Sequence, residues 1–272
     1  MSESKKKKSK GTKKKSASTT SVVESTGGVR DYLRQSSELR TGLIMVLPLF
    51  VLYQLGVLFT GGVRNGVDFV TSAMWWVVQG NMAGYLGLNA LILLVFGGLV
   101  FFGLRGKSLM SPKLWPVVLA ESTVYAMFFG TAVIQLMSVF GLDATLAQGT
   151  GGVQELGLVQ KFVLSIGAGL YEEIVFRLVG VGGIFWLLGK LGGERQGIPT
   201  IARAVIAVLA SSLIFSAIHY VGSLGDAFTL GSFLFRFFAG ILLAVLFYVR
   251  GFAVAVYTHA IYDIIVMVFH QG

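Results

Sequence analysis

The sequence predicts an all-α protein: a polytopic transmembrane helical bundle of about seven spans behind a disordered, basic N-terminal tail. Three observations carry this. Of the 272 residues, 54% are hydrophobic and only 13% charged, against about 25% charged in a soluble domain. The mean hydropathy is +0.76, too apolar to hide inside one globule. The apolar residues also fall in runs near the roughly 20 residues that cross a bilayer. The chain therefore reads as an integral membrane protein.

Residues 1–29 are rich in Lys, Ser, Thr and Gly without periodicity, the composition of a chain that does not fold alone. Residues 1–40 hold eight Lys and three Arg against four acids, a net +7 of the total +9. This unit, 1–40, is read as a disordered cytoplasmic tail. Its expected partners are anionic lipid headgroups, at about 1 kcal/mol per Lys near the surface; nucleic acid is not expected. The polar stretch is too long for a signal peptide, and the first apolar run is expected to stay as an anchor.

Seven apolar stretches follow, at about 41–60, 86–104, 117–140, 158–189, 201–221, 231–249 and 251–269. The fourth is too long for one straight span, contains Gly167, Gly169, Gly180, Gly182 and Gly183, and is expected to be broken or strongly tilted. Residues 67–80, with Trp75 and Trp76, are shorter and read as interfacial; an eighth, re-entrant segment is the alternative there. Pro112, Pro116 and Pro199 precede or open spans, where a missing N–H costs least, and Pro48 is expected to kink the first span. Lys and Arg concentrate in alternate connections, which places the N-terminus in the cytoplasm and the C-terminus outside. A prokaryotic cytoplasmic membrane is the expected location. Residues 41–157 are read as an N-terminal group of transmembrane spans and 158–270 as a second transmembrane unit.

With no cysteine in the chain, thiolate metal sites, cysteine nucleophiles and disulfides are excluded. Ionisable groups inside apolar spans are the informative positions, since each costs at least about 2.5–3.5 kcal/mol near the bilayer centre. They are Glu121, Glu172, Glu173, Arg177, His219, His259 and Asp263. Glu121, near a span end, reads as interfacial. Glu173 and Arg177 lie one helical turn apart in the favourable acid-first order and are expected to pair, which leaves Glu172 to find a partner on another helix, in water or in a metal. Phe215 and His219 share one face, as do His259 and Asp263. An Asp one turn from a His can fix its tautomer or raise its basicity. Packing has no use for such a collection, whereas water activation does: a carboxylate takes the proton, one His positions the water, and a second stabilises an oxyanion.

The motifs Glu172-Glu173-xxx-Arg177, Phe215-xxx-His219 and His259-xxx-Asp263, in this order, resemble those of the CAAX-protease and bacteriocin-processing family of intramembrane proteases. That family is similar to the type II prenyl-protein endopeptidases and the Abi-type bacterial immunity proteins. The resemblance spans about 158–270. It implies an endopeptidase that cuts near a membrane-associated or lipidated segment. Glu172 with His219 would activate water, His259 with Asp263 would stabilise the tetrahedral intermediate, and Glu173, Arg177 and Phe215 would support them. The prenyl endopeptidases often carry Asn where this chain has Asp263, so Asp263 either orients His259 or donates in its protonated form. Glu172, His219 and His259 could instead hold zinc with one open position. There is no HExxH, and the metal-free mechanism is slightly preferred. The alternatives are a non-enzymatic immunity or scaffold protein of the same fold, and a proton- or ion-coupled transporter.

One expectation conflicts with another. At 1.5 Å per residue, straight spans put Glu172 near mid-membrane, His259 in the inner half and His219 close to the outer end. A meeting of the three requires a broken fourth stretch, tilted helices or a fifth span that starts deeper.

Overall fold

The computed structural model describes residues 28–103, 113–142, 156–191, 199–221 and 225–269. Those residues are helical, turn or irregular, with no strand. In order they form α1 (Val29–Ser37), α2 (Leu39–Phe59), α3 (Phe69–Val77), α4 (Met82–Gly103) and α5 (Leu114–Val139). A long fourth stretch, Leu158–Leu191, follows as α6 (Leu158–Gly167), a π-helical segment (Ala168–Val181) and α7 (Gly182–Leu191). The chain closes with α8 (Thr200–Ile218), α9 (Leu230–Arg250) and α10 (Phe252–Ile264), the last running into a π-helical turn, Ile265–Phe269.

Six of these helices are long and apolar enough to cross a membrane, and α4 supplies a shorter apolar helix at Met82–Val95. They coincide with the seven predicted stretches to within a few residues. Large apolar side chains such as Leu94, Phe128, Trp186 and Ile201 are exposed around the bundle, an outer surface suited to lipid and not to water. The segment at 67–80 becomes the nine-residue α3, too short to span, with the Asp68 side chain accepting from Thr71 N at its first turn.

The reading of residues 1–40 as disordered does not hold for residues 29–40. From Val29 the chain is helical, because α1 has something to pack on: Ser36 is fully buried, and Tyr32 donates to Glu121. Arg250 reaches both neighbours, with Nη2 donating to Ser36 Oγ at 3.2 Å and Nε to Glu121 Oε1 at 2.5 Å. Glu121, read as interfacial, is thus the acid of an ion pair tying α1, α5 and α9 together. Residues 1–27 and His270 lie outside the described residues.

α10 is the axis of the bundle. Every residue from Phe252 to Ala260 is buried, and its alanines let α2, α5, α9 and the fourth stretch approach closely. A methyl placed on Gly169 would lie 2.6 Å from Ala260 Cβ and 2.7 Å from its backbone nitrogen. Gly251, at φ +91°, makes the reversal from α9 into α10 and lies against the backbone of Ser36 and Ser37, a conformation and a fit that suit glycine alone.

The fourth stretch is not broken: it runs as one continuous helix, Leu158–Leu191, whose middle is the π-helical segment with wide turns that carry both glutamates. π-type turns inside helices recur at functional sites. The fourth stretch then runs antiparallel to α8 in a fixed register. Glu172 faces His219, Phe176 faces Phe215, and Gly180 lies against Ser211, a step of four along one helix answering a step of four back along the other. Ser211 Oγ donates to the Phe176 carbonyl at 2.5 Å, which pins that register. The conflict over depth therefore resolves in the pairing. α8 lies beside only the C-terminal part of the long stretch, so its last turn is level with Glu172, while α6 extends past it to pack on α2 and α10.

Candidate active site

Three elements converge. The π-helical segment brings Glu172, Glu173 and Arg177, all buried. The end of α8 brings Phe215 and His219, and the middle of α10 brings His259 and Asp263. Glu172, Glu173, Arg177, Phe215, His219, His259 and Asp263 thus meet in one place, while Glu121 lies apart, paired with Arg250.

Glu173 and Arg177 pair as expected, Oε1 to Nη1 at 3.0 Å and almost wholly out of solvent. Arg177 also lies 4.5 Å over the Phe215 ring, a cation–π contact strengthened by desolvation, and Nη2 donates to the Gly240 carbonyl at 3.4 Å. Phe215 therefore holds the arginine while packing edge-on against both imidazoles.

The sequence assigned the orienting of His259 to Asp263 as one option. The structure gives that bond to Glu173, whose Oε1 lies 2.8 Å from His259 Nδ1. A carboxylate only accepts, so Nδ1 carries the proton and Nε2 faces the opposite way. There it stands 3.7 Å from Asp263 Oδ2 and 3.9 Å from Glu172 Oε2. Asp263 is thus a neighbour of the reactive nitrogen and not the group that turns the ring.

His219 is set by backbone. Its Nδ1–H donates to the Phe215 carbonyl at 2.7 Å, which leaves Nε2 without a proton in the neutral ring. Nε2 lies 3.7 Å from Glu172 Oε2. That carboxylate oxygen is buried and makes no hydrogen bond. It stands between two imidazole nitrogens, beyond direct hydrogen-bond reach of both and at separations one water can bridge.

The other Glu172 oxygen is taken by a residue the sequence reading did not select. Asn65, in the loop between α2 and α3, donates from Nδ2 to Glu172 Oε1 at 2.7 Å. Behind it is a buried polar network. Tyr53 Oη accepts from Asn65 N at 3.0 Å and donates to Asp68 Oδ2 at 2.7 Å. Gln54 donates to both Thr71 Oγ1 and Tyr171 Oη and accepts from Tyr85. Burial pushes the Asp68 carboxyl up, against hydrogen bonds from Thr71 and Tyr53 that pull it down. The available signal was Gln54, an uncharged polar residue within the first apolar run that demands a buried partner; a count of ionisable groups passes over it.

No group of three His, Asp or Glu side chains among the described residues converges as a metal-binding set. Two ligands at 2.0–2.1 Å around a tetrahedral zinc lie roughly 3.3 Å apart, closer than either imidazole nitrogen comes to Glu172 Oε2.

Residues 154–265 match the family model described as type II CAAX prenyl endopeptidase Rce1-like. The matched segment contains all seven site residues named from the sequence and excludes Asn65. No curated protein and no solved structure matches the chain.

Proposed function

We propose that this chain, whose residues 154–265 carry the Rce1-like type II CAAX prenyl endopeptidase pattern, is an intramembrane endopeptidase. It would hydrolyse a peptide bond near a membrane-associated or lipidated segment with Glu172 as the base. The observation that carries this reading is the free Glu172 Oε2, buried between two histidine rings whose Nδ1–H groups are held from behind.

Water held between Glu172 Oε2 and His219 Nε2 gives a proton to the carboxylate while its oxygen attacks the scissile carbonyl carbon. The carbonyl π electrons move to oxygen, and the oxyanion takes a hydrogen bond from the Nε2–H of a doubly protonated His259, whose charge Asp263 and Glu173 balance. On collapse the C–N bond breaks, and Glu172 returns its proton to the departing amine, leaving a carboxylic acid and an amine. Preorganised donors of this kind typically contribute about 100-fold or more to rate. Desolvation around the site favours such electrostatics. This chemistry uses protein groups and water alone.

The substrate is a membrane-associated peptide or protein, and the Lys-rich tail would hold the cytoplasmic N-terminus against anionic lipid. Membrane-fraction N-terminal peptides from cells expressing the wild type and Glu172→Gln test the reading. New termini confined to the wild type are expected, and they name the substrate. Matching profiles with both proteins inserted would overturn it in favour of a scaffold of the same fold.

A further inference from the structure

We propose that Asn65 is a positioning residue for the Glu172 carboxylate, so that the N-terminal spans complete the site. The inference rests on the reading of Glu172 as the base.

The direction of the Asn65 amide is settled by its neighbours. Its Oδ1 accepts from Val67 N at 2.9 Å, and a backbone N–H can only donate, so the NH₂ group must be the end that meets Glu172 Oε1. The Asn65 backbone is held in turn: its N–H donates to Tyr53 Oη, Tyr53 donates to Asp68 Oδ2, and Asp68 Oδ1 accepts the Thr71 N–H in the first turn of α3. Donor and acceptor roles are fixed at every step from the α3 N-terminus to Glu172. Tyr53 and Asp68 are buried, so water does not compete for these bonds.

The consequence lies in the division of labour between the two carboxylate oxygens. With Oε1 occupied by the amide, the carboxylate cannot rotate freely, and Oε2 is left as the oxygen presented to His219 and His259. Without the amide, Oε1 is a buried acceptor with no partner, and the carboxylate turns to satisfy it. A residue outside the matched segment thus sets the geometry of the base inside it.

Asn65→Asp and Asn65→Ala in the full chain, purified in detergent, are the variants to compare. Asn65→Asp keeps the shape and the acceptor for Val67 N–H but replaces the donor with an oxygen facing Glu172. Two readouts are needed. The first is the carboxylate infrared band of Glu172, isolated by subtracting spectra of proteins that carry Glu172→Gln. The second is the rate of cleavage of a farnesylated, internally quenched peptide ending in a CAAX-type tetrapeptide. A shifted band in both variants is expected, with kcat lowered about 10- to 100-fold, the loss typical when a group orienting a reacting side chain is removed. KM should stay close to the wild-type value, because only the transition state feels the misplacement.

An unshifted band overturns the proposal, as does wild-type kcat in Asn65→Asp. A raised KM at constant kcat also overturns it, since that makes Asn65 a substrate contact. If the wild type cleaves neither this peptide nor any membrane protein, the endopeptidase reading fails, while the infrared band still decides whether Asn65 holds Glu172.

Discussion

Glu173 serves two partners at once: the oxygen that faces Arg177 Nη1 at 3.0 Å also takes the Nδ1–H of His259 at 2.8 Å. Adjacent glutamates on one helix thereby acquire opposite tasks. Glu173 turns inward to arginine and imidazole, and Glu172 is left with an oxygen free for chemistry.

Glu173→Ala should therefore cost both stability and activity. It leaves the buried Arg177 guanidinium with its ion pair removed, a loss of about 3–5 kcal/mol when one partner of a buried pair is deleted. It also frees the His259 ring to rotate. Glu173→Gln still accepts a hydrogen bond but lacks the charge, and should be the milder of the two. Thermal unfolding in detergent, with cleavage per folded molecule, measures the two effects. A Glu173→Ala protein with wild-type unfolding and wild-type cleavage would refute both roles.

Gly169→Ala should damage the site from behind, since the new methyl meets the Ala260 backbone at 2.7 Å and backbone cannot move aside. Overpacking of this kind costs roughly 1–3 kcal/mol, and separation of α10 from the fourth stretch draws His259 away from Glu173. Gly183→Ala is the control: nothing lies within 4 Å of the added methyl, and helix propensity favours alanine. Reduced cleavage and stability in the first variant only is the expected pattern. Equal behaviour of the two would mean that the close approach at Gly169 is not needed.

These contacts mark what the sequence can and cannot say. The spans were legible because a bilayer imposes length and apolarity on each stretch independently of its neighbours. Glu172, His219, His259 and Asp263 stood out because a charge in an apolar run demands a reason. The relative level of the helices was not legible, because periodicity describes one helix at a time. The small-residue contacts of Gly180 with Ser211 and Gly169 with Ala260 exist only once two helices are brought together. Straight-span arithmetic therefore held His219 apart from Glu172. Asn65 was hidden for the same reason: its partner is more than a hundred residues away, and a polar residue in a glycine-flanked loop carries no mark of function. α1 was missed because its stability comes from Arg250 and Glu121 and not from its own composition.

Glu121→Ala should separate architecture from chemistry. Arg250 contacts the carboxylate through two nitrogens, at 2.5 and 2.7 Å, and Tyr32 donates to it as well. Deleting the acid leaves Arg250 largely buried and short of its principal partner, for a loss of about 3 kcal/mol, and α1 should detach. None of these groups touches Glu172, His219 or His259, so cleavage per folded molecule should stay at the wild-type level. Limited proteolysis near residues 28–38, together with cleavage kinetics, reads both. Loss of turnover in the well-folded fraction would show that the ion pair reaches the site.

Chelation is the sharpest test of how water is activated. Glu172, His219 and His259 have the right chemistry for a zinc site with an open position, but their separations of 3.7 and 3.9 Å exceed those of ligands around a tetrahedral ion. The same distances suit a carboxylate and two imidazoles sharing a water. Cleavage by purified protein should therefore survive prolonged incubation with EDTA and 1,10-phenanthroline, and elemental analysis should give equal zinc content for the wild type and Glu172→Gln. If chelators abolish cleavage and zinc restores it, and Glu172→Gln also loses bound zinc, the three side chains are metal ligands. Glu172 would then be a ligand and not the base.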